Sequence, residues 1–281
     1  MLRKLSIILL SLIFGGALGF FVWHEGYYFR ILISLVMLNL LFVWPLAQRL
    51  RFLAIPLFLS IGSLNLLYLI DGIYERSIFI GLAMIIYILA LWGANRLKKY
   101  DCDQTAQGLV NLATIVTIFF WFVSNYGWYL NFAISSWVLV VIMIISTFFI
   151  IFPSLTISFV SCYKIYFRQD KFKKNNKNKV TNKSKKDFIL AFKQQLKVQQ
   201  TALFFSFIIA LIMGEIIWGL SFWPFGYLVT GMTAVIILFL FWSIVRKFIK
   251  KELTKKFIIV NVFMMVVIII IMIITSPWRI I

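Results

Sequence analysis

Nine long apolar runs constrain this chain more than any other feature of its sequence. Of its 281 residues, 63% are hydrophobic and only 13% are charged. A helix of about 20 residues crosses a hydrocarbon core of about 30 Å, and each run reaches that length with its interfacial residues. Continuous rather than alternating apolarity favours helices over barrel strands. The approximate bounds are Leu5–Trp23, Ile31–Leu46, Phe52–Ile70, Ile78–Trp92, Gly108–Ser124, Phe132–Phe152, Thr201–Phe222, Tyr227–Val245 and Phe257–Thr275.

The distribution of basic residues predicts how these helices are oriented. With the N-terminus in the cytoplasm, 25 of the 28 Lys and Arg fall in inward segments, and only Arg30, Arg76 and Arg279 fall outside. This is the asymmetry of the positive-inside rule, and one helix more or fewer would reverse it in every later loop. The first run lacks a convincing cleavage site, so we interpret it as a retained helix. We predict an all-α, polytopic membrane bundle of about nine transmembrane helices, with the N-terminus cytoplasmic and the C-terminus outside.

The only long polar stretch, Lys164–Lys197, divides the chain into two membrane blocks. It contains twelve Lys or Arg against two Asp, so it belongs on the cytoplasmic side. We predict a six-helix block over 1–163, a cytoplasmic polybasic loop over 164–199 and a three-helix block over 200–281. Within the loop, Phe172–Lys183 has almost nothing to bury and is predicted to be disordered. From Ser184 a basic amphipathic helix is predicted at the interface, running into the seventh span.

The sixth run contains a proline that predicts an irregularity. Pro153 removes a backbone donor and disfavours helix at the residue before it. We expect a kink or a break there, with Ser154–Phe167 either continuing at a tilt or lying along the inner interface.

Lysines of the polybasic loop are candidates for binding anionic lipid headgroups, at about 1 kcal/mol per residue. Nucleic acid is a rival partner through charge alone, but the stacking aromatic and arginine residues of nucleic-acid readers are absent from the basic middle of the loop, so we rank lipid above nucleic acid. The alternative is that the loop only orients the protein. The candidates are Lys171, Lys173, Lys174, Lys185, Lys186, Lys193 and Lys197.

Glu215 is the only acidic residue inside a predicted span. Counting from Thr201 at 1.5 Å per residue puts it about 21 Å from the inner edge, in the outer third of the core. A carboxylate there is costly unless it is protonated, paired or wetted, so it is a functional candidate. Plausible partners are His24, Arg30 and Arg76. The structural alternative is an ion pair or access to water at the surface.

Other polar candidates lie at or near the outer ends of the spans. His24 and Glu25 form a histidine-acid pair that could perform acid-base chemistry or remain a solvated turn. Arg30 and Arg76 end two outer turns that share the pattern acid-Gly-x-Tyr-x-Arg, and Asp71 begins the second turn. Asn65 can bond between helices or line a polar path. No recognised catalytic motif, metal-ligand spacing or cofactor-binding motif is present, and we expect no cofactor.

The stretch from Glu215 to Tyr227, EIIWGLSFWPFGY, resembles a segment of uncharacterised bacterial polytopic membrane proteins, a family without assigned function. The resemblance covers mainly the last three helices. It implies that an acid before an aromatic outer turn is usual in that family, and it implies no activity.

Three classes of function remain open for a protein of the bacterial cytoplasmic membrane. The first is a non-catalytic component that interacts with lipids or other membrane proteins. The second is a carrier for a small or lipid-like solute, with Glu215 and intramembrane Asn residues lining its path. The third is a lipid-modifying enzyme at the outer face. The absence of a catalytic set favours the first class, and whether the protein is an enzyme stays open, with the balance towards a non-enzyme.

Overall fold

The computed structural model describes residues 2–43, 50–99, 103–174, 183–249 and 252–276, and within these residues the chain is all-helical. It forms nine α-helices there, in the order that the apolar runs predict, and no strand. A 3-10 turn, Glu25–Tyr27, precedes the second helix, and a π-helical turn, Asn39–Val43, ends it. The helices are α1 Leu2–Trp23, α2 Tyr28–Leu38, α3 Leu50–Tyr68, α4 Ile73–Lys99, α5 Gln104–Leu130, α6 Ser136–Lys174, α7 Lys183–Leu220, α8 Tyr227–Ile249 and α9 Lys255–Thr275.

Eight segments of the described chain are helical, long and apolar enough to span a membrane. The remaining apolar helix is α3, whose apolar part, Leu53–Tyr68, is shorter than the others. The predicted number of helices is therefore confirmed in the described residues. Eight of the predicted spans are long enough to cross a membrane, and the third is shorter.

Helix α5 is the central element of the fold. One cluster of buried apolar side chains joins α1, α2, α3 and α4 to one face of α5. A second cluster joins α6, α7 and α8 to another face of α5. Glycines let the backbones of neighbouring helices approach closely. A Cβ built at Gly62 of α3 would lie 3.2 Å from the backbone nitrogen of Trp121, and one at Gly231 of α8 would lie 2.8 Å from the Cα of Val123. Small residues at such crossings are typical of helix association in lipid.

Helix α9 lies at the edge of the bundle. It packs against α8, and none of its residues is buried. The helix is nonetheless the most apolar segment of the chain, with a mean hydropathy of 3.4. Lipid, rather than protein, therefore provides most of the environment that this composition requires.

The helices α6 and α7 extend well beyond the predicted spans. Helix α6 passes through Pro153 without interruption and continues to Lys174, so the alternative of a break is wrong. The missing proline donor concerns one backbone bond, and the turns on either side keep theirs. Helix α7 begins at Lys183 and runs continuously to Leu220, so the residues before the seventh apolar run belong to the same helix. Of the stretch predicted to be disordered, residues 175–182 lie outside the described residues, and Phe172–Lys174 are the last turn of α6.

Candidate functional site

The turns after α1 and before α4, which the sequence predicts to lie outside and which we call outer turns, are joined by an ion pair. Arg76, at the start of α4, places Nη1 2.5 Å from Oε1 of Glu25 in the 3-10 turn after α1. Its Nε donates to the carbonyl oxygen of Ile70, at 2.5 Å. The Arg76 side chain is 12% exposed and that of Glu25 is 49% exposed. The pair therefore lies at the surface, with its arginine mostly buried. The two turns that share a sequence pattern are thus in contact.

An aromatic cluster lies beside this ion pair, at the outer ends of α2, α3 and α5. Tyr28 donates its hydroxyl hydrogen to Oδ1 of Asn65, at 2.5 Å. The rings of Tyr68 and Trp128 stack with centroids 5.3 Å apart, and Trp128 lies 5.6 Å from the ring of Tyr28. The Trp128 indole nitrogen is buried and has no hydrogen-bond partner in the described residues. We call Tyr28, Asn65, Tyr68 and Trp128 the outer aromatic cluster.

The other candidates at this end do not join a common cavity. His24 stacks on Phe20, with ring centroids 4.4 Å apart, and within the described chain no hydrogen bond links its imidazole to Glu25. The guanidinium of Arg30 lies 5.1 Å from the ring centroid of Tyr27, in a cation–π contact. Asp71 is exposed. These positions suit aromatic and charged groups at headgroup level, and they assemble no base beside a nucleophile.

Glu215 lies on the outer surface of the bundle. It is exposed on α7, five residues before the helix ends at Leu220. Its neighbour Gly214 is buried against α6, where an added Cβ would lie 2.5 Å from Cδ1 of Ile144. In the part of the chain that the structure describes, Glu215 makes no hydrogen bond or ion pair with any of its predicted partners: Arg76 binds Glu25, Arg30 contacts Tyr27 and His24 contacts Phe20. The carboxylate therefore points away from the rest of the bundle.

The opposite ends of the helices also carry charged pairs. Asp103 precedes α5, and its carboxylate caps the helix by accepting from the backbone nitrogens of Thr105 and Ala106, at 3.0 and 3.3 Å. Arg96 of α4 places Nε 2.5 Å from the same side chain. Partial burial acts to raise the pKa of Asp103, but the bonds from Ala106 and Thr105 and the Arg96 charge together bring this pKa below its usual value. A second pair joins Lys247, in the last turn of α8, to Glu252, which follows the helix, at 2.9 Å.

The seven candidate lipid-binding lysines lie outside the part of the chain whose side chains the structure describes. The backbone places Lys171, Lys173 and Lys174 in the last turns of α6. It places the other four in the first four turns of α7.

A buried polar network in the first cluster was only partly predicted from sequence. Asn39 donates from Nδ2 to the Leu35 carbonyl at 2.8 Å and to Ser60 Oγ at 3.0 Å, and its Oδ1 accepts from the Tyr87 hydroxyl at 3.1 Å. Ser60 in turn donates to the Pro56 carbonyl. Intramembrane Asn residues, of which Asn39 is one, are candidates from the sequence, but Ser60 and Tyr87 are not identified there. A phenol in the middle of an apolar run needs a partner, and this requirement is the signal that points to Tyr87.

The space between α5, α6 and α8 holds a small crevice. Its volume is about 10 Å³, and its lining includes Thr114, Ile118, Ile151 and Trp242. A single water needs about that volume together with two or more polar partners. The lining is almost wholly apolar and offers no row of polar groups. Among the described residues there is also no cluster of three His, Cys, Asp or Glu that could hold a metal ion.

Eight segments with the length and apolarity of membrane spans, among them the central helix α5, indicate a multi-pass membrane protein. Residues 189–275 match the model of a family described as Protein of unknown function (DUF5656). The match covers most of α7 and all of α8 and α9, just under a third of the chain, and it confirms the resemblance of the last three helices to an uncharacterised family. Comparison with curated proteins and with solved structures gives no match.

Proposed function

We propose that this chain is a non-catalytic, multi-pass component of the cytoplasmic membrane that binds lipids or other membrane proteins. The observation that carries the proposal is the way its polar side chains are used at the outer end. Arg76 is committed to Glu25, and Asn65 is committed to Tyr28. Glu215 faces outwards instead of joining them. Arg76 and Asn65 thus fix neighbouring helices to each other, while Glu215 is exposed on the surface of the bundle. Polar groups arranged in this way do not surround a substrate.

The packing between the two apolar clusters supports this function over transport. A carrier needs a polar path that reaches the membrane midplane between its two halves. Here Gly231 brings α8 against the backbone of α5 at Val123, and the crevice on the same side of α5 has a volume of about 10 Å³ with an apolar lining. This close packing favours a fixed bundle.

The proposal includes an orientation, with the N-terminus cytoplasmic and the C-terminus outside. It is supported by the positive-inside distribution of the 28 basic residues. It can be tested by labelling single cysteines in intact cells with a membrane-impermeant maleimide, after the two native cysteines are replaced by serine. Asn131→Cys should react in intact cells, and Glu252→Cys should react only after permeabilisation. The reverse pattern would show the opposite orientation.

The proposal also assigns the seven loop lysines to anionic lipid headgroups. The support is their charge density, since each Lys near an anionic surface contributes about 1 kcal/mol. The matched variant replaces all seven by Gln, which keeps the length and polarity of the loop.

Native mass spectrometry of the protein, extracted together with its surrounding membrane, tests the function directly. The protomer has a mass of 32.9 kDa. We expect a discrete heavier species at fixed stoichiometry, containing a second copy or another membrane protein, or enrichment of anionic lipid that the seven-lysine variant loses. Bare protomers carrying lipids in the bulk proportions of the membrane would contradict the proposal.

A further inference from the structure

The exposed face of α7, continued by Phe222 in the turn after the helix, forms one stripe of exposed side chains. Its members recur every three or four residues, and its two ends are 18 residues apart, which is about five helical turns. All of them are between 43% and 70% exposed, apart from Glu215, which is also in the exposed class. The members are Phe204, Phe207, Leu211, Glu215, Trp218 and Phe222. Glu215 is the one charged residue in this stripe.

Glu215 is placed where it costs free energy unless another group meets it. A carboxyl in the hydrocarbon region needs a hydrogen-bond partner, a counter-ion or water. The described part of the chain supplies no partner to it, and the nearest candidates by depth, Arg30 and Arg76, contact Tyr27 and Glu25. A second molecule in the membrane can supply the group that this carboxyl requires.

The surroundings of Glu215 suit the close approach of another helix. Gly219 lies one turn above it, is exposed, and would meet nothing within 4 Å if it carried a Cβ. Small residues on a lipid-facing helix let two backbones approach and bring polar side chains within bonding distance. Trp218 and Phe222, whose rings are 5.5 Å apart, flank the glycine with apolar surface.

We propose that this stripe is a self-association face, on which the α7 helices of two copies meet and their Glu215 carboxyls hydrogen-bond to each other. In a two-fold dimer with its axis along the membrane normal, each residue of α7 lies at the same depth as its counterpart in the second copy. Two carboxyls at one depth are self-complementary, because a protonated carboxyl donates and an ionised one accepts, so that one proton is shared between them. The second copy is thus the one partner whose matching group the sequence itself supplies. This inference rests on the proposed non-catalytic function, and it specifies the partner.

Self-association can be measured by Förster transfer between donor- and acceptor-labelled full-length protein while the protein is diluted in lipid vesicles. The informative pair of variants is Glu215→Gln and Glu215→Leu. Glutamine keeps a donor and an acceptor, so we expect it to associate like the parent. Leucine keeps apolar bulk without a hydrogen bond, so we expect association to weaken about five- to thirtyfold. Glu75→Gln, at an exposed position on an outer turn, is the control and should change nothing.

Crosslinking through the stripe provides a second measurement that leaves Glu215 intact. With the native cysteines replaced by serine, Leu211→Cys should form a disulfide-linked dimer under mild oxidation, whereas Ile85→Cys on the exposed face of α4 should not.

Three outcomes would overturn the inference. One is a monomer at every dilution together with no crosslink at position 211, and another is a dimer that Glu215→Leu leaves unchanged. The third is equal weakening by glutamine and leucine, because this pattern indicates a cationic partner group in place of a second carboxyl. If the mass spectra show a complex with a different protein and no second copy, the proposed function stands and the self-association face is wrong. Catalytic turnover or solute flux would overturn the proposed function without affecting the dimer measurement.

Discussion

The hydrogen-bond network around Asn39 gives the sharpest stability prediction. Tyr87, Asn39 and Ser60 are each 0% exposed, so no water can replace a lost partner. The substitution Tyr87→Phe removes the donor to Asn39 Oδ1 and leaves this acceptor buried and unpaired. It keeps the ring, which stacks on Phe14 with centroids 4.5 Å apart. The change therefore isolates one interhelical hydrogen bond from the packing around it.

The expected cost follows from the size of such bonds in lipid. Interhelical hydrogen bonds in membrane proteins contribute about 0.6–2 kcal/mol, and an orphaned buried acceptor raises the cost towards the upper end. We expect Tyr87→Phe to lower the free energy of unfolding by about 1–2 kcal/mol. The substitution Asn39→Leu removes the bonds to Tyr87 and Ser60 together and should cost more. The double variant should cost less than the sum of the two single variants, by about 0.5–1.5 kcal/mol, because both remove the same bond.

The assay measures reversible unfolding of the purified protein by steric trapping, in bicelles of fixed lipid composition. Tyr74→Phe is the matched control, because Tyr74 is 84% exposed and its hydroxyl can bond to water. It should change the free energy of unfolding by less than about 0.5 kcal/mol. If Tyr87→Phe is as neutral as the control, or if the two single changes add without coupling, the network does not hold α2, α3 and α4 together.

Three further predictions concern packing, backbone strain and pH. Gly231→Val should destabilise the bundle by about 1–3 kcal/mol because its Cβ meets the Val123 backbone of α5, whereas Gly226→Ala, in open space, should not; equal unfolding free energies would contradict this. Phe132, at φ 58° after α5, holds a left-handed conformation that glycine adopts freely, so Phe132→Gly should stabilise by about 1 kcal/mol in the same unfolding assay, and a loss of stability would refute the strain. Because the pKa of Asp103 is lowered in the folded protein, its contribution is present above the unfolded-state pKa and is lost as pH falls through the folded value; Asp103→Ala should therefore lower thermal stability at neutral pH, with a difference that shrinks under acid, and a pH-independent difference would contradict this.

The number and order of the helices follow from the sequence because the membrane imposes one length scale on every span. The bounds follow less well. The apolar run predicted for the fourth span ends at Trp92, whereas α4 continues to Lys99, since backbone hydrogen bonds persist beyond the hydrocarbon edge. The continuation brings Arg96 to Asp103, a contact between two loop-facing charges that apolarity alone does not indicate.

Depth along a helix is predictable from counting residues, but the direction in which a side chain points is not. Glu215 lies near the C-terminal end of α7, the end to which the residue count assigns it. Its direction depends on which face of α7 packs on α6, and Gly214 occupies that face against Ile144. Successive residues are about 100° apart around a helix, so the contact at Gly214 turns Glu215 away from the bundle. This rotation depends on long-range packing that a single sequence does not encode in any local pattern.

The two acids nearest the outer surface show why residue type alone does not define a membrane site. Glu25 finds Arg76 because α1 packs on α4 and α2 packs on α3, which places their two outer turns side by side. Among the described residues, Glu215 meets no such turn and forms no ion pair. Lipid tails provide no hydrophobic force that would rotate a carboxyl inwards, so small residues and hydrogen bonds decide which faces meet. With Gly214 packed against α6 and Gly219 open among the described residues, α7 uses one face within the protomer, and the face centred on Glu215 is the one that we propose for self-association.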